Sequence, residues 1–148
     1  MAREILLIGE CPPPDEFRRS DDPWDCESGD RIAQGFRFEN YAALNKANFA
    51  RCDDTFREYY RKKDRSAGLE RAARQRLWRL KYPRITVVMG GTACALFQTT
   101  FKVELQRLAA MPHKDGSVFL APHPSPRNES RWDKDEMRVF FSSLLCLK

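Results

Sequence analysis

The sequence contains no stretch of about eighteen consecutive apolar residues, the length that a membrane-spanning helix requires. Its short N-terminal apolar run is flanked by the acidic Glu4 and Glu10, which argues against a secretory leader with a basic start. No membrane association is expected. The five cysteines, Cys11, Cys26, Cys52, Cys94 and Cys146, include no Cys-x-x-Cys pair. An odd number without paired spacing argues against a disulfide framework and for reduced thiols in a cytoplasmic protein. Histidine is scarce, with only His113 and His123. Glycine is scarce too, and the one adjacent pair, Gly90-Gly91, lacks both the spacing and the Lys-Ser/Thr pair of a phosphate loop or dinucleotide fingerprint. No metal and no cofactor are expected.

What remains is the composition of a globular chain. At 148 residues, 42% apolar and 32% charged, it is long enough for one domain, 1–148, with a substantial core. The net charge of +5 is unevenly spread: residues 57–84 hold eleven Lys/Arg against three Asp/Glu, which leaves the remainder of the chain acidic. Such a segment is either the solvated face of an amphipathic helix or a surface that attracts nucleic acid through counterion release.

Residues 4–8 form a continuous apolar run bounded by Gly9 and three prolines, as expected of a parallel strand buried on both faces. An acidic, irregular loop follows to about Glu27, with Phe17 and Trp24 as its aromatics, and Ser28 is placed to cap a helix. Residues 44–52 are ambiguous by periodicity. Residues 55–81 read as helix, with Leu69, Ala73, Leu77 and Leu80 on one stripe, Gly68 as a potential break and Pro83 as its stop. Ile85-Thr86-Val87-Val88-Met89 is the clearest strand, and it runs into a tight turn at Gly90-Gly91-Thr92-Ala93. Phe101, Leu105 and Leu108 stand at helical spacing, Lys114-Asp115-Gly116 makes a turn, and Ser117 to Leu120 form the last strand. Met137, Phe140, Phe141, Leu144 and Leu145 mark an amphipathic C-terminal helix. Strands alternating with helices predict a three-layer α/β/α domain with a mostly parallel central sheet. In such sheets ligands sit beyond the carboxyl ends of the strands.

The last strand delivers Ala121-Pro122-His123-Pro124-Ser125-Pro126-Arg127-Asn128, where three prolines in five residues exclude both a helix interior and a central strand. The result is a stiff loop that carries a histidine, a small hydroxyl residue and an arginine. His123-Pro124-Ser125-Pro126-Arg127-Asn128 resembles the second active-site motif of the uracil-DNA glycosylase superfamily, especially its single-strand-selective branch. Ile5-Leu6-Leu7-Ile8-Gly9-Glu10-Cys11-Pro12-Pro13 resembles the first motif, an apolar strand ending in Gly-x-x-Pro. Pro23-Trp24 followed by Ser28-Gly29 is similar to the superfamily's Pro-aromatic and helix start, and residues 44–52 look like its second strand, ending near an asparagine.

The resemblance implies a monofunctional DNA glycosylase, acting as a monomer and without cofactor on uracil or a modified pyrimidine flipped out of DNA. One branch of the superfamily carries an iron-sulfur cluster, whose paired cysteines are missing here. His123 would donate to O2 of the departing base, where charge appears only as the bond breaks. Asn48, with Asn45 as the alternative, would read the base edge through one acceptor and one donor. Trp24, or else Phe17, would stack on the base, and Ser125, Arg127 and Asn128 would hold the DNA backbone or fill the gap it leaves. Many members place Asp or Asn directly before the first proline of motif one; here it is Cys11, a small packing residue in the base pocket. Glu10 is then the remaining carboxylate to direct water or support the sugar cation. That departure keeps two other readings open: a member recruited to nucleotide or DNA base modification, and an inactive nucleic-acid or base-binding module.

Overall fold

The computed structural model describes residues 5–9, 19–20, 24–35, 44–48, 67–82, 85–104, 106–124 and 131–146. The apolar run at the N-terminus forms β1 (Ile5–Gly9), and α1 (Glu27–Gly35) and β2 (Leu44–Asn48) follow. Then come α2 (Ala67–Arg79), β3 (Ile85–Met89), α3 (Gly91–Phe101), β4 (Met111–His113), β5 (Gly116–Ala121) and α4 (Lys134–Cys146). Among the described residues the sheet has five strands, in the order β2-β1-β3-β5-β4. β2, β1, β3 and β5 are parallel, and the short β4 is antiparallel to β5.

Alternation along the strands divides the core in two, because successive side chains of a strand point to opposite faces. Ile5 and Leu7, Ile85, Val87 and Met89, Phe119 and Ala121 join Trp24, Ile32, Trp132 and four buried residues of α4 on one face. Leu6 and Ile8, Val88, Val118 and Leu120 join Ala73 and Leu77 of α2 and Ala93, Leu96 and Phe97 of α3 on the other. Helices therefore cover both faces, giving the three-layer α/β/α architecture. Met137, Phe140, Phe141 and Leu144 put the i, i+3, i+4, i+7 stripe of α4 into the core, each such burial stabilising by roughly 1.5–3 kcal/mol. Asp133 caps that helix, its Oδ1 accepting from the Glu136 N–H at 2.8 Å. α1 approaches α4 closely: a Cβ added to Gly35 would overlap the Phe141 ring.

Several local expectations are corrected. α1 begins at Glu27, so Ser28 lies within its first turn and is not the cap; the Asp30 N–H instead donates to the Cys26 carbonyl at 3.0 Å. Gly68 is the second residue of α2, and residues 55–66, with the expected helix before Gly68, and Pro83 lie outside the described residues. The helical spacing of Phe101 and Leu108 does not continue α3. Lys102 takes a left-handed conformation (φ 53°) and the Val103 N–H returns to the Gln98 carbonyl at 3.1 Å, a C-terminal cap that ends the helix. The chain beyond it turns back along the sheet, with the Leu108 N–H donating to Leu120 O at 2.9 Å, and enters β4. β4 escaped the sequence because it has three residues and contains Pro112, which is tolerated at a sheet edge.

Candidate active site at the carboxyl rim of the sheet

The parallel register brings four strand ends to one line. Gly9 pairs with Asn48, and Met89 pairs with Ala121. From β1 the chain passes through α1 to β2 on one side; from β3 it passes through α3 to β5 on the other. The strand order therefore reverses between β1 and β3, which is where ligands enter an open α/β sheet. Gly9, the last residue of β1, lies at this point, and so does the turn after β3.

That turn is built from glycine for a physical reason. Gly90 has φ 98° and ψ 152°, a conformation in which any side chain is strained. Held that way, its N–H donates to the Ala121 carbonyl at 3.0 Å, and its own carbonyl accepts from the Cys94 N–H at 2.9 Å in the first turn of α3. The Cys94 thiol adds a bond to the Val88 carbonyl at 3.4 Å and a longer one to the Ala121 carbonyl at 4.0 Å. The last residue of β5 is thus fixed by the β3–α3 turn immediately before the proline loop begins. Pro122 and Pro124 restrict φ on both sides of His123, Pro124 is buried, and His123 is half-buried. The loop enters the rim with its histidine held by covalent stiffness and by the anchored strand beneath it.

On the other side of the switch point Asn48 is the last residue of β2, level with Gly9, whereas Asn45 pairs with Leu6, three residues further from the rim. At about 3.3 Å per residue that is a retreat of roughly 10 Å, so of the two asparagines Asn48 stands at the strand ends. Trp24 is only 6% exposed and packs in the core with Ile5, Ile32 and Phe141. Glu10, Cys11, Phe17, Ser125, Arg127 and Asn128 lie outside the described residues. Of the basic segment, Arg71, Arg76 and Arg79 are exposed on α2, whose last turn leads into the start of β3 and so lies away from the carboxyl rim.

Contacts that the sequence did not announce hold the surroundings of the site. Arg19, in the segment between β1 and α1, donates to both carboxylate oxygens of Asp30 at 2.9 and 2.6 Å, and its N–H donates to the Asp25 carbonyl at 3.0 Å. The guanidinium holds the Asp30 carboxyl below its ordinary range. Arg107 donates to Glu136 and reaches the Arg131 carbonyl, tying the residues that follow the proline loop to the chain beside β5. Glu136 is held below its ordinary range by that bond. The cue to the first pair was an arginine within an acidic loop; eleven residues of separation gave no register to identify its partner.

Among the described residues no group of three His, Cys, Asp or Glu side chains could hold a metal ion, and Cys26, Cys94 and Cys146 are not in disulfides. No described helix is long and apolar enough to cross a membrane. A strand ending in glycine, a glycine-built turn, and a proline-flanked histidine after an anchored third strand stand together at the carboxyl rim of the sheet. The family model of the uracil DNA glycosylase superfamily matches residues 2–145. The chain belongs to the uracil DNA glycosylase superfamily. Comparison with curated proteins gives no match. Superfamily membership spans all five strands and all four described helices, and supports a base-excision role of the glycosylase type together with DNA as partner.

Proposed function

We propose that this member of the superfamily is a monofunctional DNA glycosylase that hydrolyses the N-glycosidic bond of uracil, or of a modified pyrimidine, after the nucleotide has left the stack. The observation that supports the proposal is the anchoring of the chain that leads to His123: the Gly90 N–H holds the Ala121 carbonyl at the end of β5, and Pro122 and Pro124 restrict the backbone on both sides of the histidine. A donor fixed before the reaction costs no reorganisation when negative charge develops on O2 of the leaving base, and such a donor accounts for roughly 10²–10³ in rate. Asn48 reads the base edge from the end of β2. Trp24, packed in the core, forms the wall behind the base, and Phe17 supplies the stacking face. Glu10 follows Gly9 directly and directs water or supports the cationic sugar, acting in the transition state more than in binding. Cys11 packs against the base, and Ser125, Arg127 and Asn128 hold the phosphates and the gap left by the flipped nucleotide. The protein acts as a cytoplasmic monomer, with neither metal nor cofactor.

Cys11 favours a second reading. It stands where related motifs carry Asp or Asn, and a thiol cannot orient water as a carboxylate does. A rim without that group suits an inactive base-binding module, or a member recruited to modify nucleotides. Incubation with DNA carrying a single uracil or 5-hydroxymethyluracil, followed by cleavage at abasic sites, separates these readings. Strand scission at the modified position supports the glycosylase, and binding without scission on every substrate supports the module.

A further inference from the structure

The edge of the sheet opposite the candidate site carries a feature that base excision does not use. α2 and α3 run back against the strands, so their last turns lie at the amino-terminal edge, with the β4–β5 turn beside them. There Trp78, in the last turn of α2, is 57% exposed. Its ring lies 4.8 Å from Phe101 at the end of α3, and the Lys114 ammonium sits 5.9, 4.6 and 5.7 Å from the ring centres of Trp78, Tyr82 and Phe101. The platform is rigid beneath. The Tyr82 hydroxyl donates to the Leu77 carbonyl at 2.6 Å, and His113 packs against Tyr82, Phe97 and Phe101 at 4.5–5.2 Å between ring centres.

Cationic residues flank the segments that carry these rings. Arg71 and Arg74 precede Trp78 by seven and four residues on one helix face, Arg79 and Lys81 follow it, and Lys102 follows Phe101. Arg74 is paired with Glu70 at 2.7 Å. Arg71, Arg79, Lys81 and Lys102 are exposed and form no ion pair among the described residues. An exposed indole beside uncompensated cations is a poor solvated surface but a good base platform: bases stack on the ring while ammonium and guanidinium groups follow the phosphates.

We propose that this amino-terminal edge is a second nucleic-acid site, binding single-stranded DNA through stacking on Trp78 and phosphate contacts from Lys81, Lys102 and Lys114. Single strands are specified because stacking on an exposed ring needs an unstacked base, which a duplex does not offer. The site is separated from the rim by the length of a five-residue strand, roughly 17 Å. It serves to keep a strand on the protein while another segment of the same strand occupies the rim. It does not depend on base excision, since an inactive module with this edge would carry it equally.

Tryptophan fluorescence tests the site directly, because Trp24 and Trp132 are each 6% exposed and Trp78 alone is open to a stacking base. Titration with an oligo-deoxythymidylate of about ten nucleotides should quench the wild-type protein, within the usual site sizes of single-strand binders. Trp78→Ala should remove the quenching and weaken binding about tenfold by anisotropy of a labelled oligomer, while Trp78→Phe keeps most of the affinity. Lys81→Gln with Lys102→Gln should lower the salt slope by about 1.4, near 0.7 for each lost phosphate contact. Unchanged affinity and slope in these variants would overturn the site. Competition by oligoglutamate of equal length and charge, as strong as that by the DNA, would overturn nucleic acid as its occupant.

Discussion

Gly90→Ala is the substitution that most cleanly separates backbone architecture from side-chain chemistry at the rim. At φ 98° and ψ 152° an alanine is strained by roughly 1–3 kcal/mol if the turn keeps its shape. Should the peptide rotate to escape, its N–H leaves the Ala121 carbonyl, now 3.0 Å away, and its carbonyl leaves the Cys94 N–H at 2.9 Å. Two bonds at about 0.5–1.5 kcal/mol each give a loss of the same size. Either route lowers stability by roughly 1–3 kcal/mol, and the second also displaces the proline loop, where about 1 Å of misplacement can cost on the order of 10²-fold in rate. Gly91→Ala is the internal control. Its Cβ would find nothing within 4 Å, and at the first position of α3 it should be neutral or stabilising by up to about 1 kcal/mol. Urea unfolding of both variants, with single-turnover base release on the better of the uracil and 5-hydroxymethyluracil substrates, measures the two effects. Equal stability of the two variants, or a Gly90→Ala protein as stable as wild type, would refute the reasoning.

Gly35→Ala should destabilise by roughly 1–3 kcal/mol in urea titration, because its Cβ overlaps the fully buried Phe141 ring; Phe141→Leu in the same protein should recover part of the loss by opening the contact. Phe97→Ala should cost about 3–5 kcal/mol, the usual price of removing a fully buried ring. His113 is held below its ordinary value of 6.5, first by burial and then by Lys114. The unfolded chain therefore binds this proton more readily, and the associated stability is complete above about pH 6.5 and declines as pH falls through the lowered folded value. The urea midpoint should fall between about pH 7.5 and about pH 5.5, and His113→Leu should flatten that part of the profile. A wild-type midpoint that rises over the same interval would mean that the surrounding rings favour the imidazolium.

The legible parts of the fold were those where burial imposes a period. Ile5–Gly9, Ile85–Met89 and the stripe of α4 are read correctly because a strand buried on both faces must be continuously apolar and a one-sided helix must repeat at i, i+3 and i+4. The rim followed from these, since parallel strands bring their carboxyl ends to one side of the sheet, whereas the strand order came only with the structure. What escaped was set by backbone geometry and distant partners. Lys102 and Leu108 adopt left-handed conformations that their side chains do not announce, so the periodic apolar residues beyond Phe101 suggested helix where the chain turns. The Cys94 thiol anchors the β3 and β5 carbonyls across 27 residues, and Arg19 meets Asp30 across eleven; neither distance leaves a local pattern. The packing of Trp24 against β1, α1 and α4 is likewise long-range and leaves no local pattern. Trp78 was hidden among the arginines of a basic segment, whose average charge left both a solvated helix face and a nucleic-acid surface open.

The measurement closest to the central claim is single-turnover release of uracil and of 5-hydroxymethyluracil from DNA by the wild-type protein and by His123→Ala, with affinity for the same DNA measured alongside. Wild type should generate abasic sites, and the variant should do so about 10²–10³ more slowly while binding unchanged, as expected for loss of one preorganised donor that acts in the transition state. Release by His123→Ala at the wild-type rate, or wild-type protein that binds both DNAs and frees neither base, would contradict the claim.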